Sequence, residues 1–411
     1  MRIRVPDDLV PLDSILPEEP LLMMGAGPVP IPARVAAANG IVINHLGDTM
    51  SQIVEQVKSM SRYVFQTEHG RILGVAGPGS AAMEMAVTNL VSPNSRVLSI
   101  VNGLFSSRLA DMSERLEASV TRLQVDERQA AQPEQVEQYL RKYKPNVLTI
   151  VQGETSNTVC NHHLPEIARL AHEHDCLVIV DAVCTLSTMP LDMDEWNIDA
   201  VITGGQKGLS CIPGVSLVAF SERAWQFIEG RNDTLKHWCL DARLAYRFWY
   251  EKSYHYTAPV SGILALHEAL RLICSETLKT RFQRHQRCSQ ALQNGIEGMG
   301  LSLYVEKPAR LTSVLGIKTP QGVDATALLR YMSQRHRVEI SGSFGADIVR
   351  IGQMGEQCRA HNLFRALHAL GSSLNTMGVS LDLPAGVASL ESTLEQYEFP
   401  PVRAVAQAVR S

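Results

Sequence analysis

The sequence holds no run of about 18 apolar residues, the length a helix needs to cross a bilayer, so no transmembrane helix is expected. It also lacks an unbroken apolar stretch near its start. MRIRVPDDLVPLDSILPEEP is interrupted by acidic residues and prolines, unlike a secretory signal. The last residues, AVAQAVRS, are not a peroxisomal Ser-Lys-Leu, and a cytoplasmic protein is expected. No Cys-x-x-Cys pair occurs among the cysteines at 160, 176, 184, 211, 239, 274, 288 and 358. That scatter argues against a disulfide framework or a zinc site and for reduced, mostly buried thiols. An excess of either charge is missing as well. The net charge of −4 supplies no attraction to nucleic acid or acidic lipid.

What is present is a folded chain of 411 residues, 45% hydrophobic and 19% charged, enough for two or three domains or one large domain with a smaller one. From about 72 to 222, short β-branched apolar runs alternate with amphipathic helical patterns. The runs are RVLSIV (96–101), NVLTIV (146–151), CLVIVDA (176–182), DAVITGG (199–205) and VSLVAFS (215–221). Near-continuous apolar strands are those buried on both faces, which predicts a doubly wound α/β domain with ligands at the carboxyl ends of its strands. Only GGQKGLSCIPG separates the last two runs. That is too short for a helical crossover, so the last strand is expected to be antiparallel.

After about 260 a long charged helical stretch, SGILALHEALRLICSETLKTRFQRHQRCSQALQNGIEGM, leads toward a small α+β domain. Its strand candidates are LSLYV, TSVLGIKT, RVEIS and IVRIG, followed by the helix AHNLFRALHALGSSLNTM. The expected organisation is an N-terminal arm at 1–25, a large α/β domain at 26–275, a small domain at 276–380 and a weakly patterned tail at 381–411.

Two charged residues stand where the sheet should end. Asp181 closes CLVIVD, and Lys207 follows AVITGG between glycines. Each alone is compatible with a surface charge at a strand end. Together they suit one chemistry: a lysine amine forms a Schiff base, and a buried carboxylate keeps a pyridinium protonated so that the ring can take up electrons. Pyridoxal phosphate needs both. In VAGPGSAAMEMA (75–86), glycine and serine precede a helix whose N-terminus could cradle a phosphate; the loop is neither Gly-x-Gly-x-x-Gly nor a Walker loop. Phe105, in NGLFSSR, could stack on a flat ring or sit in the core. QGETS (152–156) brings hydroxyls to the same sheet edge. Arg350, in IVRIGQMG, suits bidentate carboxylate binding, or an ordinary ion pair.

Taken in order, LLMMGAGPVPIP near residue 21, YVFQT (63–67), NGLFSSR, GETS, VDAV, GGQKGL with IPG, YHYT (254–257) and RIGQMG resemble the class V, fold type I aminotransferases. Among these the likeness is to the alanine–glyoxylate aminotransferases, and it runs to about residue 375. The resemblance implies a fold type I pyridoxal-phosphate transferase with a large, mainly parallel mixed sheet and a smaller C-terminal α+β domain. It implies Lys207 as the Schiff-base lysine and proton carrier, Asp181 at the pyridine nitrogen, Val183 and Phe105 on opposite ring faces, and Thr155 near the 3′-oxygen. Gly79, Ser80 and Gln206 would bind the phosphate. Tyr254 and Thr257 would reach the phosphate of a neighbouring subunit in a homodimer. Arg350 would clamp the substrate carboxylate, with Gly27 and His45 also on the substrate side.

Departures from the family pattern touch substrate preference. Thr155-Ser-Asn-Thr158 stands where relatives commonly read Ser-Thr-Gly, losing a glycine, and Phe105 stands where many carry tryptophan. The implied reaction is transfer of an amino group between a small amino acid and a 2-oxo acid, alanine or serine to glyoxylate. Ureidoglycine–glyoxylate aminotransferases share the fold and the DEWNID stretch (194–199). In that branch an amide-bearing residue tends to replace the histidine and tyrosine that this chain keeps as His45 and Tyr254. Pyridoxamine–pyruvate aminotransferase is a third relative, against which the phosphate loop and GGQK argue. A desulfurase cysteine would precede the substrate arginine, whereas Cys358 follows Arg350, and His162-His163 lacks carboxylates at ligand spacing, so neither a thiol enzyme nor a metal enzyme is expected.

Overall fold

The structure is a computed structural model that describes residues 9–396. The first residues of the expected arm and the last of the expected tail lie outside them. Seven strands form the main sheet, in the order Arg71–Ala76, Val215–Phe220, Ala200–Gly204, Leu177–Asp181, Val147–Val151, Arg96–Val101 and Ser119–Gln124. All pair in parallel except Val215–Phe220, which runs antiparallel to both neighbours, as its short connection requires. The central strands are wholly buried β-branched runs, covered by helices that include Gly79–Leu90, Leu104–Arg115, Pro133–Tyr143 and Leu164–Glu173. Register aligns their carboxyl ends, with Asp181 level with Val151 on one side and Ile202 on the other. The antiparallel strand begins at that same edge, where Gly77 N–H donates to Gly214 O at 2.9 Å. Two loops from distant parts of the chain therefore meet beside Asp181.

Beyond the sheet the helical stretch after 260 divides into two helices, Val260–Glu276 and Leu278–Gly298. Thr277 separates them with φ +67, a left-handed conformation that an α-helix cannot continue through, and its hydroxyl accepts from Thr280 N–H. The small domain centres on the antiparallel strands Val314–Lys318, Ile348–Gly352 and Ser341–Gly342. Of LSLYV, only Leu303 makes an isolated bridge, to Ile317.

Within the segment set apart as a tail, Leu383–Glu395 is a helix capped by Asp382, whose carboxylate accepts from Ala385 N–H at 3.0 Å. It crosses Leu278–Gly298 where Gly295 faces Gly386, and a Cβ on Gly386 would lie 2.7 Å from Gly295 O. That close approach seats Leu390 and Leu394 in the small domain's core. At the other end of the chain, Leu22–Met23 pairs in parallel with Val338–Glu339, and Met24 joins the same core. The next residues, Gly25–Gly27, are thereby carried from the small domain to the edge of the large sheet.

Candidate active site

Asp181 ends the central strand only 4% exposed, its Oδ1 accepting from Val183 N–H at 2.8 Å. Burial pushes its carboxyl up to about 7, with the Glu154 carboxylate adding to the rise. Lys207 lies in the turn after Ala200–Gly204, where Ser210 N–H donates to its carbonyl at 2.9 Å. Its amine donates to Ala26 O. Burial, with the Arg350 cation nearby, holds the amine below the usual lysine range, against the opposing pull of Asp181. Gly27 passes directly over it at φ +100; a Cβ there would be 2.6 Å from Nζ, so no side chain fits.

The cleft around these groups has about 410 Å³ of free space, the open solvent at its mouth included. Gly79 and Ser80 open the helix Gly79–Leu90 on one wall, and the first N–H groups of a helix have no intrahelical acceptor. Gln206 faces the same wall with Oε1 buried and unpartnered. Phe105, Thr155 and Val183 complete it.

Arg350 arrives from the small domain, 4% exposed, with Nε donating to Gly342 O at 2.7 Å and Nη1 to Thr155 O at 2.6 Å. Among the described residues no carboxylate lies within ion-pair distance of it, although burial already lowers its pKa to about 10. A buried guanidinium without a carboxylate, near a lysine amine, has the chemistry to take up an anionic group.

His45, Tyr254 and Thr257 stand elsewhere. None lines the cleft; the His45 and Tyr254 rings meet edge-on at 5.9 Å, and Tyr254 is 56% exposed. The structure thus gathers Gly27, Gly79, Ser80, Phe105, Thr155, Asp181, Val183, Gln206, Lys207 and Arg350 in one place within a chain, and leaves these three apart.

One residue that sequence reasoning passed over is Glu154, fully buried behind Phe105. Its carboxylate accepts from Ser106 N–H (2.9 Å) and Oγ (3.0 Å), from Phe105 N–H (3.3 Å), and from Ser156 Oγ (2.5 Å). It caps the helix Leu104–Arg115 and so sets where the Phe105 ring stands. The clue was an acid three residues past a continuous apolar strand, where a charge must find donors.

Residues 34–363 match the model of the family Aminotransferase class-V. The chain belongs to the class V aminotransferases. It is 34% identical to the alanine–glyoxylate aminotransferase of Oryctolagus cuniculus over 362 residues, 86% of this chain and 92% of that protein. The crystal structure of alanine–glyoxylate aminotransferase from Nostoc sp. superposes with a TM-score of 0.86 at 34% identity, covering 90% of this chain and all of the other. That of ureidoglycine–glyoxylate aminotransferase from Bacillus subtilis gives 0.90 at 29% identity, covering 92% and 99%.

Class V aminotransferases depend on pyridoxal phosphate, and the residues of this one fit it. The cleft offers an amine at Lys207, a carboxylate at Asp181, and an orphaned amide beside a helix N-terminus at Gln206 and Gly79. This class V aminotransferase has no helix, among its described residues, long and apolar enough to cross a membrane.

Proposed function

We propose that the enzyme transfers the amino group of alanine, or serine, to glyoxylate. The observation that carries this reading is Arg350: buried, lacking a carboxylate, and close enough to Lys207 to depress its pKa. Such a pair suits a small 2-amino or 2-oxo carboxylate, its acid on the guanidinium and its Cα toward the amine.

Bound pyridoxal phosphate supplies an electron sink for the pair left when the Cα proton departs. Gly79, Ser80 and Gln206 would hold its phosphate, Thr155 its 3′-oxygen, and Val183 and Phe105 its two faces. Asp181 keeps a proton on the ring nitrogen; buried beside a cation, its carboxyl returns to the ionised form. Lys207 carries the substrate Cα proton away and back. An amine already below the usual lysine range reaches the neutral, basic form more readily at physiological pH. Gly27 leaves that amine room to move, and Phe105 shields the ring from water.

Tyr254 and Thr257 would complete the phosphate site of a second copy, and His45 its substrate side, making the working unit a homodimer. The position of all three away from their own cleft, with Tyr254 and Thr257 exposed, supports this. A cytoplasmic setting is supported by eight unpaired cysteines, six of them buried.

Ureidoglycine as amino donor is the second reading, favoured by the TM-score of 0.90 to the Bacillus subtilis enzyme. The DEWNID stretch does not strengthen it. Asp199 is a buried structural acid accepting from Val178 N–H and Ser221 Oγ, and the stretch lies outside the cleft. A half-reaction screen separates the two. Mixed with the loaded enzyme, alanine or serine should bleach the near-visible cofactor band, and glyoxylate should restore it. Bleaching by ureidoglycine about tenfold faster than by alanine would move the assignment.

A further inference from the structure

We propose that Arg108 is a positioning residue for the cofactor phosphate, acting through the hydroxyl of Ser80. This holds whichever amino acid is the donor. Arg108 sits one turn beyond Phe105 on the helix Leu104–Arg115. Its Nη1 donates to Ser80 Oγ at 2.9 Å, and its guanidinium carbon lies 5.0 Å from the centre of the Phe105 ring. Both Ser80 and Phe105 line the cleft.

A hydroxyl has one proton and two lone pairs, whereas a guanidinium can only donate. When Ser80 Oγ accepts from Arg108, its own O–H must turn away from the cation. The free side is the cleft, where the helix N-terminus and Gln206 already converge. Arg108 thus prepares Ser80 as a donor before any anion arrives.

Charge makes the same point. The phosphate holders Gly79, Ser80 and Gln206 are all neutral, and Lys207 is committed to the other end of the cofactor. A dianion in that cradle needs a cation. Arg108 is partly buried, and among the described residues no carboxylate lies within ion-pair distance of it. The contact with Phe105 holds the guanidinium plane in place and links the phosphate cradle to the ring's stacking face.

Pyridoxal phosphate and pyridoxal differ only in the phosphate, so the ratio of their affinities for the cofactor-free protein reads this role. Titrations would compare the wild type with Arg108→Met, Arg108→Lys, Ser80→Ala and the Arg108→Met/Ser80→Ala double variant. Arg108→Met should lower the ratio about ten- to a hundredfold, as expected for a charge-assisted contact. Arg108→Lys should fall between, keeping the charge but losing the fork. The Met substitution should matter less once Ser80 is alanine, because the two act as one unit. An unchanged ratio in Arg108→Met would overturn the proposal, and so would full additivity with Ser80→Ala. A purely structural arginine would lower the melting temperature while leaving that ratio as it was.

Discussion

Around Lys207, most groups that meet the cleft hang from the carboxyl end of a buried strand, from the loop after it, or from a helix that starts there, while Gly27 and Arg350 come from the small domain's side. Around Tyr254, by contrast, side chains stand on loops, touch one another through ring edges and face solvent. The first region is gathered within one chain, because parallel register brings Asp181, Val151 and Ile202 to one level before any loop chooses a conformation. The second stands apart from that cleft: His45 lines a separate small pocket with Met50 and Trp249, and Tyr254 faces solvent. A rigid sheet edge gathers its groups without help from outside the chain; under the proposed homodimer, the surface loop cluster acts only when another copy is laid against it.

The hardest blow to the first region is Lys207→Ala. Transamination of alanine and glyoxylate should fall by about 10⁴-fold or more, with the borohydride-sensitive near-visible band lost. Turnover near the wild-type rate would mean that the amine is not the proton carrier. Arg350→Ala comes next: kcat/KM for small amino acids should drop about a hundredfold, the size of a buried charge-assisted hydrogen bond or two. Unchanged kinetics would leave the bare guanidinium without a role.

The contrast itself is tested by mixing. Tyr254→Ala alone should weaken cofactor binding about tenfold. Co-refolded with Lys207→Ala chains, it should regain wild-type affinity at the sites that take lysine from one copy and tyrosine from the other. If mixing restores nothing, Tyr254 serves its own chain and the two regions are not halves of one site.

A separate effect is on stability without cofactor. Asp181 titrates near 7 when folded against 3.8 unfolded, so between those values the native state binds the extra proton. Stability is then lost as pH rises through this window, fully by above about 7, and amounts to a few kcal/mol at most, roughly. Compared with cofactor-free Asp181→Asn, the wild type should melt progressively lower from pH 5 to pH 8. A gap that stays constant would mean that the carboxyl is ionised throughout.

The central strands were legible because burial on both faces forces uninterrupted Val, Ile and Leu, and the antiparallel strand because its connection is too short to cross over. The edge strand Ser119–Gln124, SVTRLQ, was not, since partial exposure admits polar residues and blurs the pattern. Thr277 hid the division between two helices because one left-handed residue leaves the helical periodicity on either side intact. The helix Leu383–Glu395 was obscured because contact with Gly295 and Gly386, rather than a strong apolar stripe, holds it in place. In the site, Lys207 and Asp181 could be read from position and chemistry. Glu154 could not, because its partners are backbone N–H groups and hydroxyls of a distant helix that sequence spacing does not reveal. Arg108 belongs to the same class: its partner Ser80 is far away along the chain and adjacent only in space.

The pairing of Leu22–Met23 with Val338–Glu339 sets a timetable for synthesis. The segment that lies over Lys207 is made roughly 300 residues before the strand that anchors it. At about 5–20 residues per second the wait on the ribosome is on the order of 15–60 s. Once Val215–Phe220 has been made within it, the main sheet can form while Gly25–Gly27 still has no mooring. A nascent chain therefore carries a formed lysine turn before it carries a covered one, and the cover comes only once Val338–Glu339 has been made.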